Sequence, residues 1–188
     1  MMISSCKTVG LLSRSCDLIL ENRGAAAVEF AIVLPFMLLL YVGGIELGDG
    51  MAIQVKVTDT AHIVADLTTQ NTSISNATMK AILGASSATI APYAVSNVVV
   101  TVSEISTDAS GNATVTWSDS LNGTARNAGD KFTLPTSLAS QPNISLIYGE
   151  VSYRYTPNLG YTITGTVTIS DSYFLFPRNS NSITRVTT

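Results

Sequence analysis

The sequence predicts an α+β protein built from a long N-terminal membrane-spanning helix, a short second helix and an antiparallel sheet of about four strands. The first helix is indicated by residues 25–45, an apolar run that contains a single charge. Residues 76–91 have helical spacing and end at Pro92, which predicts the second helix. From Val95 onward, apolar residues alternate with polar ones between turn residues, which is typical of antiparallel strands.

The apolar run has the length and composition of a membrane span. As a helix, its 21 residues extend about 31 Å, close to the hydrocarbon thickness of about 30 Å. A buried helix of a soluble protein would need apolar surroundings on every side, and a chain of this size has little core to supply them. We therefore expect a transmembrane helix over residues 25–47. Mixed three- and four-residue spacing predicts that the helix continues over residues 48–70.

Basic residues predict the orientation of this span. Lys7, Arg14 and Arg23 precede it, whereas only Lys56 follows within 20 residues. By the positive-inside rule, the N-terminus lies in the cytoplasm and the region from Glu46 onward lies outside. The predicted location is the inner, cytoplasmic membrane, crossed once.

Composition argues against several classes of function. The net charge of −3 is the wrong sign for a nucleic-acid-binding protein, so no nucleic acid is expected as a partner. His62 is the only histidine, and the two cysteines, Cys6 and Cys16, precede the apolar run. The chain therefore has few side chains that could serve as metal ligands or as Cys- or His-based catalytic groups. With no phosphate-binding loop or nucleophile elbow either, we expect a non-enzymatic protein without cofactor or metal.

Three fates are compatible with the apolar segment. It is a cleaved secretory signal, an uncleaved anchor, or a prepilin-type segment that is cut before the apolar run. The run is long for a signal peptide, and 48–50 is a poor match to a signal-peptidase site. A prepilin-type segment has a short polar leader that ends in Gly, followed by an apolar helix with an early Glu. Arg23-Gly24 followed by Glu29 fits that pattern.

Glu29 requires an explanation because a carboxylate at the centre of a membrane helix costs about 2.5–3.5 kcal/mol, and less near an interface. One interpretation is that the side chain reaches back to the lipid headgroups. The other is an ionic partner: cleavage after Gly24 creates a new ammonium on Ala25 at a similar depth. In an assembly, Glu29 of one subunit would neutralise the Ala25 amine of another and set the axial register between them.

These residues resemble the N-terminus of a known family. The segment runs from Arg23-Gly24 through AAAVEF at 25–30 and AIVLP at 31–35 to GIELG at 44–48. It resembles TadE-like proteins, the minor pilins or pseudopilins of tight-adherence (Tad) type IVb pilus systems, which are related to TadG proteins. Asp49-Gly50 departs from the family, where a basic residue is often found. The large region after the span suits the TadE/TadG group better than the very short major pilins.

The resemblance implies a processing site and a set of motif residues. A prepilin peptidase would cut between Gly24 and Ala25. Glu29, Phe30 and Pro35 would belong to the assembly motif, with Pro35 in a structural role. Glu46 is expected to mark the outer interface. The implied partners are the membrane, the prepilin peptidase and other Tad pilins and pseudopilins, and the implied function is assembly of a Tad (Flp) pilus for surface adhesion.

The expected organisation is therefore a leader over 1–24, the span over 25–47, a helix continuation over 48–70 and an extracytoplasmic α+β head over 71–188. The alternative is an uncleaved single-span envelope protein whose extracytoplasmic domain binds a partner.

In the head, strands are predicted over 98–102, 113–117, 146–155 and 161–169, with Tyr173–Phe176 as a last strand or as packing on the helix. The aromatic residues of these strands form either core packing or an exposed binding face: Trp117, Tyr148, Tyr153, Tyr155 and Tyr161. The polar tail, residues 178–188, is expected to fray.

Overall fold

The structure, a computed structural model, describes residues 22–139, 141–157 and 165–187. The chain divides into two compact units, an N-terminal unit that ends at Ile45 and a C-terminal unit over Glu46–Thr188. Helix α1 runs through both. The helices are α1 (Asn22–Thr69) and α2 (Asn76–Ala88), and the strands are β1 (Ser73–Ile74), β2 (Val98–Thr107), β3 (Ala113–Leu121), β4 (Lys131–Phe132), β5 (Ser145–Tyr155), β6 (Val167–Leu175) and β7 (Thr184–Arg185).

The C-terminal unit is built on a five-stranded antiparallel sheet with the order β4-β3-β2-β5-β6. The four long strands are β2, β3, β5 and β6, and β4 adds two residues at one edge. The predicted α+β class, with a long helix, a short helix and an antiparallel sheet, is confirmed.

The part of α1 that follows Glu46 packs directly on this sheet. Ile53, Val57 and Val64 are buried on the side of α1 that forms the core. The closest approach is at Gly149 of β5, where a Cβ atom would lie 2.7 Å from the carbonyl oxygen of Ala61. The absence of a side chain at residue 149 thus lets the helix lie against the strand. We call this side of the sheet the helix face.

Helix α2 begins where the sequence predicts and ends three residues earlier. Ser75 is its N-cap, and its hydroxyl accepts a hydrogen bond from the Thr78 N–H at 3.2 Å. Met79, Ile82 and Leu83 are buried in the same core as α1. Their three- and four-residue spacing keeps one side of the helix on the core.

A second, smaller core lies on the opposite side of the sheet, the outer face. Alternation along the strands brings Tyr148 and Phe174 together there, with ring centroids 4.5 Å apart. Phe132 packs edge-on against Tyr148 at 5.1 Å, and the Arg126 guanidinium lies 5.2 Å from the centroid of the Tyr148 ring. Arg126 also pairs with Glu150 at 2.5 Å.

Trp117 and Tyr153 are buried in the main core, so these aromatic residues pack internally, whereas Tyr161 lies outside the described residues.

The predicted strand over 161–169 is wrong in its bounds. Residues 158–164 lie outside the described part, and β6 is continuous over Val167–Leu175. The sequence Ser170-Asp171-Ser172 does not interrupt it. Ser170 and Ser172 point to the outer face, while Asp171 points to the helix face and accepts a hydrogen bond from the Thr58 hydroxyl at 2.5 Å. The segment at Tyr173 is therefore part of this strand.

The prediction of a frayed tail is also wrong. Ile183 is 1% exposed, and β7 pairs in parallel with β1. The Thr184 N–H donates to the Thr72 carbonyl at 3.1 Å, and the Val186 N–H donates to the Ile74 carbonyl at 2.9 Å. The buried isoleucine, these backbone hydrogen bonds and the ion pair between Arg185 and Asp119 at 2.8 Å hold a segment that is otherwise polar.

Candidate membrane and assembly segment

The first half of α1 presents an apolar surface that the described protein does not cover. Side chains from Gly24 to Tyr41 are exposed, and none of the most apolar 18-residue window is buried. Among the described residues, this is the one helix that is long and apolar enough to cross a membrane. Continuous apolar surface of this extent is costly in water and favourable in lipid. The protein is therefore membrane-anchored through this segment.

The predicted processing site lies at the start of the helix. Gly24 is exposed, and a Cβ atom added to it would meet nothing within 4 Å. Ala25 is also exposed. The expected leader lies outside the described residues except for its last three, residues 22–24, which are helical. The site is thus free of tertiary packing within the described part of the chain.

Glu29 lies one helical turn after Ala25 on the same side of α1. Its side chain is exposed, and it takes part in none of the ion pairs between described residues. One turn corresponds to about 6 Å along the axis. Side chains of a helix tilt towards its N-terminus, so the carboxylate can approach the level of the Ala25 nitrogen. A charge at this position, surrounded by apolar side chains, favours a partner that supplies the opposite charge.

Phe30 and Pro35 occupy different positions on the same helix. Phe30 is 59% exposed and adds to the apolar surface. The helix continues through Pro35 without a break, although a proline cannot donate the helical hydrogen bond. Membrane helices tolerate this loss better than soluble ones.

Glu46, the predicted interface residue, begins the C-terminal unit and contacts its sheet. Its backbone carbonyl accepts a hydrogen bond from the Tyr155 hydroxyl at 3.3 Å. The Tyr155 ring also lies 3.9 Å from the position that a Cβ would occupy at Gly50. Burial raises the pKa of Tyr155, and the nearby carboxylates of Asp49 and Glu46 raise it further. Glu46 thus lies where α1 first packs on the head.

Sequence reasoning missed this contact. Alternation along β5 places Tyr155 on the same face as Gly149, Val151 and Tyr153, and this much is readable from the pattern. The partner on α1 is not, because the contact joins residues 109 positions apart.

His62 packs as a surface residue. It is exposed, and its ring meets Tyr173 edge-on with centroids 5.4 Å apart. Asp66, four residues further along α1, pairs with Arg178 rather than with His62. Within the described residues, no three His, Cys, Asp or Glu side chains come together as a metal site.

Residues 24–66 match the family described as TadE-like protein. The matched range begins at the predicted processing glycine and contains all six predicted site residues, from Gly24 to Glu46. It also contains most of the part of α1 that packs on the head. The match confirms the resemblance to TadE-like proteins that the sequence analysis found. No curated protein and no solved structure matches the chain significantly. Over residues 24–66 the chain is therefore similar to TadE-like proteins.

Proposed function

We propose that this chain is a TadE-like pseudopilin, a non-enzymatic subunit in the assembly of a Tad (Flp) type IVb pilus for surface adhesion. It is inserted with its N-terminus in the cytoplasm and its head outside the inner membrane. A prepilin peptidase removes residues 1–24. The mature subunit then joins other Tad pilins and pseudopilins through its apolar helix.

The observation that carries this proposal is the position of Glu29. It is the only charge among residues 25–45, it is exposed, and it lies one turn from Ala25. A residue that served only as lipid-facing surface would be apolar, because a carboxylate there costs free energy. Cleavage after Gly24 would create an ammonium at Ala25. Pairing between this ammonium and Glu29 of a neighbouring subunit reduces the desolvation cost of both charges.

Processing is tested first. The full chain is co-expressed with its cognate prepilin peptidase, and the Gly24→Ala variant is compared with Gly43→Ala. Both glycines are exposed, and neither has an atom within 4 Å of an added Cβ, so neither change disturbs packing. We expect Gly24→Ala to retain the mass of residues 1–24 and Gly43→Ala to be processed like the wild type.

If wild type and Gly24→Ala both keep the leader under these conditions, pseudopilin processing is excluded. The uncleaved single-span envelope protein then becomes the better description.

Assembly is tested with Glu29→Ala, with Asp59→Asn as a control that also removes one exposed carboxylate from α1. We expect both variants to insert into the membrane. Glu29→Ala should fail to co-purify with other Tad pilins, whereas Asp59→Asn should behave like the wild type. Normal co-purification of Glu29→Ala would show that Glu29 only reaches the headgroups.

A further inference from the structure

A cavity of about 530 Å³ opens in the C-terminal unit between the ends of three strands and the C-terminal segment. Its lining includes Glu104 of β2, Trp117 of β3, Ser145 of β5 and Arg185 of β7. Strand β5 reaches Glu46 at Tyr155, its last residue, so Ser145 lies at the opposite end of the strand. The cavity is therefore at the end of the sheet opposite the contact between Tyr155 and Glu46.

A carboxylate forms part of the floor of this cavity. Glu104 is 1% exposed, beside a shift in strand register between Glu104 and Ile105. Its Oε1 accepts two hydrogen bonds, from the Ser145 hydroxyl at 2.5 Å and from the Ile183 N–H at 2.8 Å. Bulges of this kind re-aim side chains and are common beside functional sites.

The second oxygen of Glu104 faces the cavity. Oε2 accepts no hydrogen bond from the described residues. Because no described side-chain oxygen is both buried and without a partner, Oε2 must reach the cavity surface. It is thus an acceptor at the cavity wall, with a small accessible area because Glu104 as a whole is 1% exposed.

No cation among the described residues pairs with this carboxylate. None of the three ion pairs between described residues includes Glu104. Arg185 lines the cavity, but its guanidinium is committed to Asp119 at 2.8 Å and to the Asn76 side-chain oxygen at 2.7 Å. A buried carboxylate is costly unless a positive charge pairs with it.

We propose that this cavity binds a primary ammonium group, with Glu104 Oε2 as its ion-pair partner. Ser106 and Thr116 supply further acceptors on the wall, and their hydroxyls are 2.9 Å apart. A primary ammonium offers three donors to such a set of oxygens. Two sources carry this group, the side chain of a lysine and an amino sugar.

The test uses the fluorescence of Trp117, because it is the only tryptophan in the chain and it lines the cavity. The full chain in detergent micelles is titrated with n-butylamine and glucosamine, and with 1-butanol and glucose as their neutral counterparts. We expect at least one amine to give a saturable change, and to bind about tenfold more tightly than its neutral counterpart, as expected for hydrogen bonds that involve a charge. The tighter amine identifies the source.

Two variants separate this role from a structural one. Glu104→Gln retains an oxygen for Ser145 and Ile183 but places a neutral amide in the cavity. Glu150→Gln removes a charge on the outer face instead. We expect amine affinity to fall about tenfold or more in Glu104→Gln and to be unchanged in Glu150→Gln. Three results would overturn the proposal: no saturable change in the wild type, equal affinity of the wild type for an amine and its neutral counterpart, or equal amine affinity in the wild type and in Glu104→Gln. The first two results are obtained with the wild type alone.

Discussion

The contact between α1 and β5 at Gly149 gives the sharpest prediction about stability. An alanine Cβ at this position would lie 2.7 Å from the Ala61 carbonyl oxygen, 2.9 Å from a Val64 methyl and 3.0 Å from the Ala65 Cβ. The nearest atom belongs to the helix backbone, so it cannot be relieved by rotation of a side chain. The helix itself has to move away from the strand.

The size of the effect follows from that displacement. Restoring an ordinary contact distance requires a shift of about 0.5–1 Å, which forfeits a quarter to a half of the dispersion energy of the affected atom pairs. Overpacked cores lose about 1–3 kcal/mol. We therefore expect Gly149→Ala to lower the free energy of unfolding of the head by about 2 kcal/mol.

Gly84→Ala is the matched control. Gly84 lies in the interior of α2, it is exposed, and a Cβ there meets nothing within 4 Å. The same substitution should stabilise the protein at this position by about 0.5–1 kcal/mol, because alanine has the higher helix propensity.

Urea unfolding of the full chain in micelles, followed by Trp117 fluorescence, measures both effects. With a denaturant slope of about 2 kcal/mol per molar urea, the Gly149→Ala midpoint should fall by about 1 M. A Gly149→Ala variant as stable as the wild type, or as stable as Gly84→Ala, would refute the direct packing of α1 on β5.

Three further predictions follow from other contacts. Ile183→Ala should lower the free energy of unfolding by about 2–5 kcal/mol, the usual cost of truncating a buried isoleucine, and the same urea assay measures it; no loss would mean that the C-terminal segment is frayed. Hydrogen bonds from Asn112, first from its side chain and then from its backbone, lower the pKa of Asp108. Its contribution to stability is therefore present above the ordinary carboxyl pKa and is lost as the pH falls through the folded-state value; Asn112→Ala should raise this pKa in a carboxyl ¹³C NMR titration. Burial and then Asp49 raise the pKa of Tyr155, so its contribution is complete below the ordinary tyrosine pKa and is lost as the pH rises through the folded value; Asp49→Asn should lower that pKa in a tyrosine ¹³C NMR titration.

The local pattern of apolar, polar and turn residues is sufficient to predict several elements of this fold. The β2–β3 hairpin follows from alternating apolar residues on both sides of the Asp108–Asn112 turn, where the Asp108 carboxylate accepts hydrogen bonds from the Ser110 and Asn112 N–H groups at 2.8 Å. The start of α2 follows from the Ser75 cap. Both features depend on residues close together in the chain.

The features that sequence reasoning missed depend on distant residues. The C-terminal segment is held by pairing between β1 and β7, more than 100 residues apart, and its polar composition hides the single buried Ile183. From the sequence, Glu104 is an ordinary polar position in a strand. It is buried in the structure, where it accepts a hydrogen bond from the distant Ile183 N–H at 2.8 Å. The same limit applies to Tyr155, whose partner is on α1.

The candidate assembly segment was readable because its chemistry is local. One charge in an apolar run, one turn after a Gly-Ala bond, is visible in the sequence alone. The structure adds that Gly24, Ala25 and Glu29 are all exposed along α1.

The central claim, that a prepilin peptidase converts this chain into a subunit beginning at Ala25, is tested most directly by the N-terminus of the mature protein. The chain is purified from membranes after co-expression with the peptidase, and its N-terminal peptide and intact mass are determined by mass spectrometry. The account predicts a mature chain that starts at Ala25 and retains Glu29. A chain that still starts at Met1, or one cleaved after Ile45, would contradict it.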